Sequence, residues 1–129
     1  MIHRPRRRAP VAPAAVGLSD LVGSQVWKPL VGRTRPCYAL AEGTVRWLVP
    51  AADSGALPSL HAANFFAMAL VAGLADRRLG LAAAALAATV AFARVHGGVH
   101  WPTDVLAGAA WGLLCGGVAR GAARWAVRR

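Results

Sequence analysis

The stretch from Ala93 to Asp104 sets Arg94, His96, His100 and Asp104 among apolar and turn-forming neighbours, directly between two Ala/Leu/Val-rich runs. Ionisable groups at the edge of an apolar segment face a protein interior or a wet cavity, and by default they mark a functional site. His100 and Asp104 are spaced i,i+4, so a helix beginning near Pro102 lets the Asp104 carboxylate reach back towards one imidazole nitrogen. The other nitrogen is left basic and aimed elsewhere, as a nucleophile or a proton carrier requires.

Upstream, Lys28 and Arg35 join Arg94 as fixed cations. The set suits a phosphate, because arginine offers a planar fork to two oxygens and lysine a point charge. Together they could neutralise a dianion and the charge that develops on its equatorial oxygens. Pro58-Ser59-Leu60-His61 precedes an apolar run, so Ser59 is a candidate N-cap, and the free amides of the first turn, that of Leu60 included, form an anion site. With phosphate held there, His100 could attack phosphorus to give a covalent phosphohistidine that water later cleaves. His61 could protonate the departing oxygen, since an imidazole has a suitable pKa near neutrality. The candidate catalytic residues are therefore His100, His61 and Asp104, and the candidate phosphate-binding residues are Lys28, Arg35, Ser59, Leu60 and Arg94. Cys37 and Cys115 lie far apart and give neither a disulfide framework nor a metal-site spacing.

The elements that must position these groups are apolar. Of the 129 residues 57% are hydrophobic and acids are nearly absent, a balance expected of a membrane-embedded chain. The net charge of +10 invites a nucleic-acid reading, which the placement of the arginines opposes. Arg4, Arg6, Arg7 and Arg8 precede the first apolar run, Arg77 and Arg78 separate two others, and Arg120, Arg124, Arg128 and Arg129 close the chain, with neither interleaved aromatics nor a basic helical stripe. Flanking arginines are where the positive-inside rule puts cytoplasmic charge. Residues 1–9 read as a retained basic cytoplasmic tail, because the apolar stretch after them is interrupted by Ser19 and Asp20 and lacks a cleavage site.

Four apolar segments follow: Pro10 to Trp27, Ala62 to Ala75, Leu79 to Phe92 and Val105 to Ala119. The first is the weakest as a spanning helix, since a lone carboxylate at the depth of Asp20 costs roughly 2.5–3.5 kcal/mol on insertion scales unless packing hides it. The middle two form a hairpin with a charged tip. In the last, Gly108, Gly112 and Gly116 recur every fourth residue and give a smooth face for close helix contact. Residues 28–61 are too rich in proline, glycine and charge to span; a short amphipathic piece around Leu40 to Val49 is expected. If both arginine-rich ends and the Arg77–Arg78 turn face the cytoplasm, four crossings place the 28–61 connection and the 94–104 stretch together on the extracytoplasmic side. The expectation is an all-α, membrane-embedded bundle of about four spanning helices in one domain over residues 1–129.

The residues also resemble a family. Lys28, six residues, then Arg35-Pro36 fits the first signature of the type 2 phosphatidic acid phosphatase superfamily. Pro58-Ser59-Leu60-His61 is similar to its second, Pro-Ser-Gly-His. Arg94, five residues to His100 and three more to Asp104 reproduce its third, which normally opens Ser-Arg where this chain has Ala93-Arg94. The resemblance implies a helical membrane enzyme that dephosphorylates lipid phosphates or diphosphates at the extracytoplasmic surface, without metal or cofactor. By it, the residues at Lys28, Arg35, Ser59 and Arg94 bind phosphate, that at His61 is the general acid, and those at His100 and Asp104 are nucleophile and orienter. Membrane members commonly have six spanning helices. Only about four fit here, the two N-terminal ones being absent from this sequence, so the expectation is a minimal form, a chain that a homodimer or partner completes, or a fragment. Leu60 replaces the glycine of the second signature, keeping the amide and adding bulk.

Blander readings apply elsewhere. His96 beside Gly97-Gly98 is expected to pack or cap, Arg33 and Arg46, which could extend the phosphate site, are expected rather to meet headgroups or solvent, and Trp27, Trp47, Trp101 and Trp125 to lie at the membrane interface. Two rival functions stand beside the phosphatase. One is a vanadium-dependent haloperoxidase, whose relatives are larger and soluble. The other is a membrane protein that only binds or passes lipid phosphates, with Leu60 marking lost catalysis. Composition rich in alanine, arginine and glycine points to a bacterial membrane.

Overall fold

The structure, a computed structural model, describes residues 10–129; the basic segment 1–9 lies outside the described residues. Its described residues are helical and contain no strand. Helix α1 (Val11–Val22) passes through a π-helical segment (Gly23–Trp27) into a further turn, α2 (Lys28–Val31), making one continuous rod. A short helix, α3 (Pro36–Ala39), stands alone in the long connection. Three long helices follow: α4 (Leu60–Ala75), α5 (Arg77–His96) and α6 (Pro102–Arg128).

Each boundary has a local cause. Asp76 Oδ1 accepts the Leu79 amide at 2.8 Å and caps α5, a contact worth about 1 kcal/mol, so the chain reverses after α4 with almost no loop. Pro102 sits in the first turn of α6, where its missing N–H costs nothing, and Asp104 closes that end by accepting the Trp101 amide at 2.7 Å. The expected amphipathic piece at 40–49 is not helical; Pro36 instead nucleates α3 just ahead of it, from an extended Arg35.

Helix α4 is the centre, packed by α1, α5 and α6, while α5 and α6 barely touch each other. The interior is made of small residues: Ala15, Ala67 and Ala119 form its buried cluster, with Val11 and Val71 against it. On α6, a methyl added at Gly108 would run into the Ser59 carbonyl, and one at Gly112 into the Ala63 backbone. The glycine stripe therefore lets α6 lie directly on the α4 backbone. Leucines and aromatics point the other way, with Leu81, Leu86, Phe92, Leu106 and Val127 all exposed. Small inside and large apolar outside inverts the pattern of a water-soluble bundle and suits a lipid surround. Helices α5 (20 residues) and α6 (27 residues) are each long and apolar enough to cross a membrane; α4, at 16 residues, is apolar but shorter.

Candidate active site

The antiparallel course of the rod, α4, α5 and α6 brings four helix ends to one end of the bundle. Lys28 opens the last turn of the rod, Ser59 and His61 open α4, Arg94 lies in the last turn of α5, and His100 and Asp104 flank the start of α6. The Arg77–Arg78 turn and the arginines of late α6 lie at the other end. The connections are stitched over the site end: the Cys37 amide donates to the Gly98 carbonyl at 3.0 Å and the Leu48 amide to Gly97 at 3.2 Å. Gly98 has φ 76°, and a side chain there would strike the Arg46 carbonyl, so this crossing requires glycine.

Lys28, Arg35, His61, Arg94 and His100 line one cavity of about 670 Å³, together with Leu60, Asn64, Phe65, Asp20 and the 50–54 loop. Arg35 is 5% exposed and organises the floor. Its Nε donates to the carbonyls of Ala52 (3.0 Å) and Ser54 (3.2 Å), and its Nη1 to the Val99 carbonyl and to His100 Nε2, both at 3.0 Å. Lys28 Nζ donates to the Gly55 carbonyl at 2.6 Å. Both cations thus rest on carbonyl oxygens, which occupy the donors that phosphate oxygens would take. Arg94 Nε is buried with no partner, a donor left free at the cavity.

His100 is buried between two opposite charges. Because Nε2 accepts from Arg35, its proton belongs on Nδ1, which lies 3.5 Å from Asp104 Oδ2 and has no other partner. At 3.5 Å that contact is longer than a formed hydrogen bond, as catalytic contacts often are before substrate binds. Asp104 is fully buried, and its Oδ2 also takes the Trp101 amide. Burial holds the His100 imidazole below its ordinary pKa; Asp104 opposes the shift, and Arg35 and Lys28 reinforce it. The ring is neutral at pH 7, with its unprotonated nitrogen next to the Arg35 guanidinium. Lys28 is lowered to about 8, by burial first and then by Arg35.

His61, ahead of the apolar run 62–75, is exposed on the cavity wall, and its pKa is lowered by partial burial and then by Arg94, His100, Lys28 and Arg35. Ser59 is placed differently from a phosphate ligand. It is fully buried, its Oγ accepts the Ala62 amide at 3.4 Å, its own amide donates to the Asp104 carbonyl at 3.0 Å, and it does not line the cavity. Its place is at the joint between α4 and α6. The Leu60 side chain packs against Gly23, so much of its bulk is taken up by the gap that a glycine in the π-helical turn provides.

Sequence reasoning missed three neighbours. Asp20 is not hidden by packing: it is exposed on the cavity wall and accepts from Asn64 Nδ2 at 3.3 Å. Ser54 contributes backbone to the floor. Arg33, expected to meet headgroups or solvent, pairs with Asp104 at 3.0 Å. His96 stacks on Phe92, in keeping with a packing role.

Comparison with known proteins gives two findings. The family model described as the PAP2 superfamily matches residues 11–128. Among solved structures, the chain is similar to a transmembrane PAP2-type phosphatidylglycerolphosphate phosphatase from Bacillus subtilis, with 27% identity and a TM-score of 0.71 over 86% of this chain. The aligned part is 56% of that protein, so the chain spans a little over half its length. No curated protein matches the chain significantly.

Proposed function

Because the chain belongs to the PAP2 superfamily, we propose that it is a lipid phosphatase, hydrolysing a phosphate monoester or diphosphate of a membrane lipid through a phosphohistidine. The observation that carries this reading is the shared cavity: three cations converge on it with two imidazoles, one of which is turned by a carboxylate. The similarity to a phosphatidylglycerolphosphate phosphatase makes a glycerophospholipid bearing a terminal phosphate the first substrate to try.

In this mechanism Lys28, Arg35 and Arg94 take the phosphoryl oxygens, Lys28 and Arg35 exchanging backbone carbonyls for phosphate. Arg35 Nη1 also exchanges its hydrogen bond to His100 Nε2 for a phosphoryl oxygen, which frees the Nε2 lone pair and sets phosphorus beside it. His100 Nε2 attacks, the P–O bond to the lipid breaks, and His61 gives its proton to the departing oxygen. The neutral His61 then takes a proton from water, whose oxygen attacks the phosphohistidine, freeing His100 and inorganic phosphate. Asp104 holds the Nδ1 proton and stabilises the positive charge that develops on the ring. His61 is neutral in the free protein because partial burial, and then the cations around it, lower its pKa. A bound dianion reverses that field and returns the proton it needs as an acid. We further propose that the site faces the extracytoplasmic side, with the arginine-rich end of the bundle in the cytoplasm.

The test is phosphate release by purified protein in detergent from phosphatidylglycerolphosphate, phosphatidate and a polyprenyl diphosphate, with an alkaline denaturing quench to trap an acid-labile, base-stable phosphoenzyme. Release from at least one lipid together with the trapped species is expected. Phosphate-dependent lipid binding with no release from any of the three would replace the enzyme by a binding protein.

A further inference from the structure

Asp104 must do two things that conflict. It has to fix the His100 ring, yet a lone buried carboxylate would pull a full proton onto that ring and quench the nucleophile. The structure gives the carboxylate a second cation. Arg33 Nη1 lies 3.0 Å from Asp104 Oδ1, and the same nitrogen contacts Thr103 Oγ1 at 2.5 Å. Its guanidinium carbon sits 5.5 Å from the centre of the Trp101 ring, whose Nε1 donates to the Thr34 carbonyl at 2.9 Å. The Arg33 carbonyl accepts the Ala56 amide at 2.8 Å. The result is a clasp in which residues 33–34 grip the first turn of α6. The two carboxylate oxygens divide their work, Oδ1 to Arg33 and Oδ2 to the Trp101 amide and the His100 ring. Arg33 does not line the cavity that holds His61, Arg94 and His100.

We propose that Arg33 is a positioning residue for the reaction: by balancing the charge of Asp104 it lets that carboxylate orient His100 while leaving the imidazole unprotonated and nucleophilic. This rests on the phosphatase reading only for the word reaction; the effect on His100 stands apart from it. His100 also faces Arg35 ahead of α3, Lys28 of α2, His61 of α4 and Arg94 of α5, and these remain in place when Arg33 alone is changed.

Two measurements on full-length protein in detergent micelles test it. The first is the titration of His100 by NMR on histidine-labelled wild type, Arg33→Gln and Arg33→Lys, assigned with His100→Gln. Loss of the guanidinium is expected to raise the His100 midpoint by about one pH unit in Arg33→Gln, the scale of a neighbouring charge, and by less in Arg33→Lys, which keeps the charge but not the fork. The second is the pH profile of kcat/KM, whose acid limb should move up in step while KM at pH 8 changes less than two-fold, an order-of-magnitude expectation for a group off the binding cavity. A His100 midpoint unmoved in both variants overturns the proposal. If Arg33→Gln does not fold, the Arg33→Lys midpoint decides alone. A midpoint that moves in a protein releasing no phosphate from any lipid keeps the clasp and removes the phosphatase.

Discussion

His100 is 3% exposed, with Arg35 on one ring nitrogen and Asp104 beyond the other; His61 is exposed and has no hydrogen-bond partner among the described residues. The difference follows from where each sits. His100 lies in the tight connection between α5 and α6, where Arg35, Asp104 and the Val99 carbonyl converge, so its orientation and tautomer are set before anything binds. His61 lies in the first turn of α4, on the side facing the cavity, and partial burial together with the cations around it shapes its behaviour. One imidazole is fixed in advance, and the other depends on the guest. That is the division expected of a nucleophile and a proton donor, since attack needs aligned orbitals while proton transfer needs a pKa that changes with the bound state.

The largest break in this comparison is His100→Ala, which in the proposed mechanism removes the atom that bonds to phosphorus. Phosphate release should fall at least roughly 10³-fold and the trapped phosphoenzyme should vanish. His61→Ala should cost about 10²- to 10³-fold for a lipid alkoxide leaving group, within the range of general-acid catalysis. The loss should shrink markedly with p-nitrophenyl phosphate, whose leaving oxygen needs no proton. If both variants lose activity equally on the two substrates, the two rings do not have separate tasks.

A smaller effect, in pH, sharpens the contrast. As the proposed nucleophile His100 must be deprotonated, and its pKa is lowered, so activity should persist to lower pH than a free imidazole allows. As the proposed acid His61 must be protonated, and its pKa in the free protein is lowered too, so kcat/KM should fall as pH rises through that depressed value. The bound dianion raises it again. The alkaline limb of kcat should therefore lie at higher pH than that of kcat/KM. Lys28 loses its charge above about 8, which should appear as a rising KM there. Coincident alkaline limbs would mean that the guest does not recharge His61.

What was legible in the chain was what depends on local spacing. The i,i+4 relation of His100 and Asp104 holds because Pro102 starts a helix between them, and the charged turn at Asp76–Arg78 marks where α4 and α5 reverse. The convergence of the remaining groups followed from counting apolar runs and arginine flanks. Long-range contacts were not legible. Arg33 and Asp104 are 71 residues apart, and their pairing depends on how the segment after α2 is seated on the start of α6. Ser59 has the residue type of a phosphate ligand, yet the close packing of α6 on α4 turns its hydroxyl into the helix. The π-helical turn at Gly23–Trp27 has no short signature either, because it is set by what packs on it.

That packing yields the smallest expected effect. The Leu60 side chain presses on Gly23, where an added methyl would overlap Leu60 Cδ2. The leucine is thus matched to a glycine on another helix, and the first-turn amide of α4 keeps its place. Leu60→Gly should leave kcat within about three-fold while lowering stability by about 1–2 kcal/mol, part of a buried leucine's contribution. Gly23→Ala alone should be destabilising by overpacking, yet nearly neutral in the Leu60→Gly background, where the methyl fills the space vacated. The coupling in a double-mutant cycle, read from thermal unfolding in detergent, should be about 1 kcal/mol. Additive losses would place the Leu60 side chain elsewhere than on the rod, and the bulk at this position would then fall on the phosphate site itself, with the drop in kcat concentrated in the wild type rather than in the glycine variant.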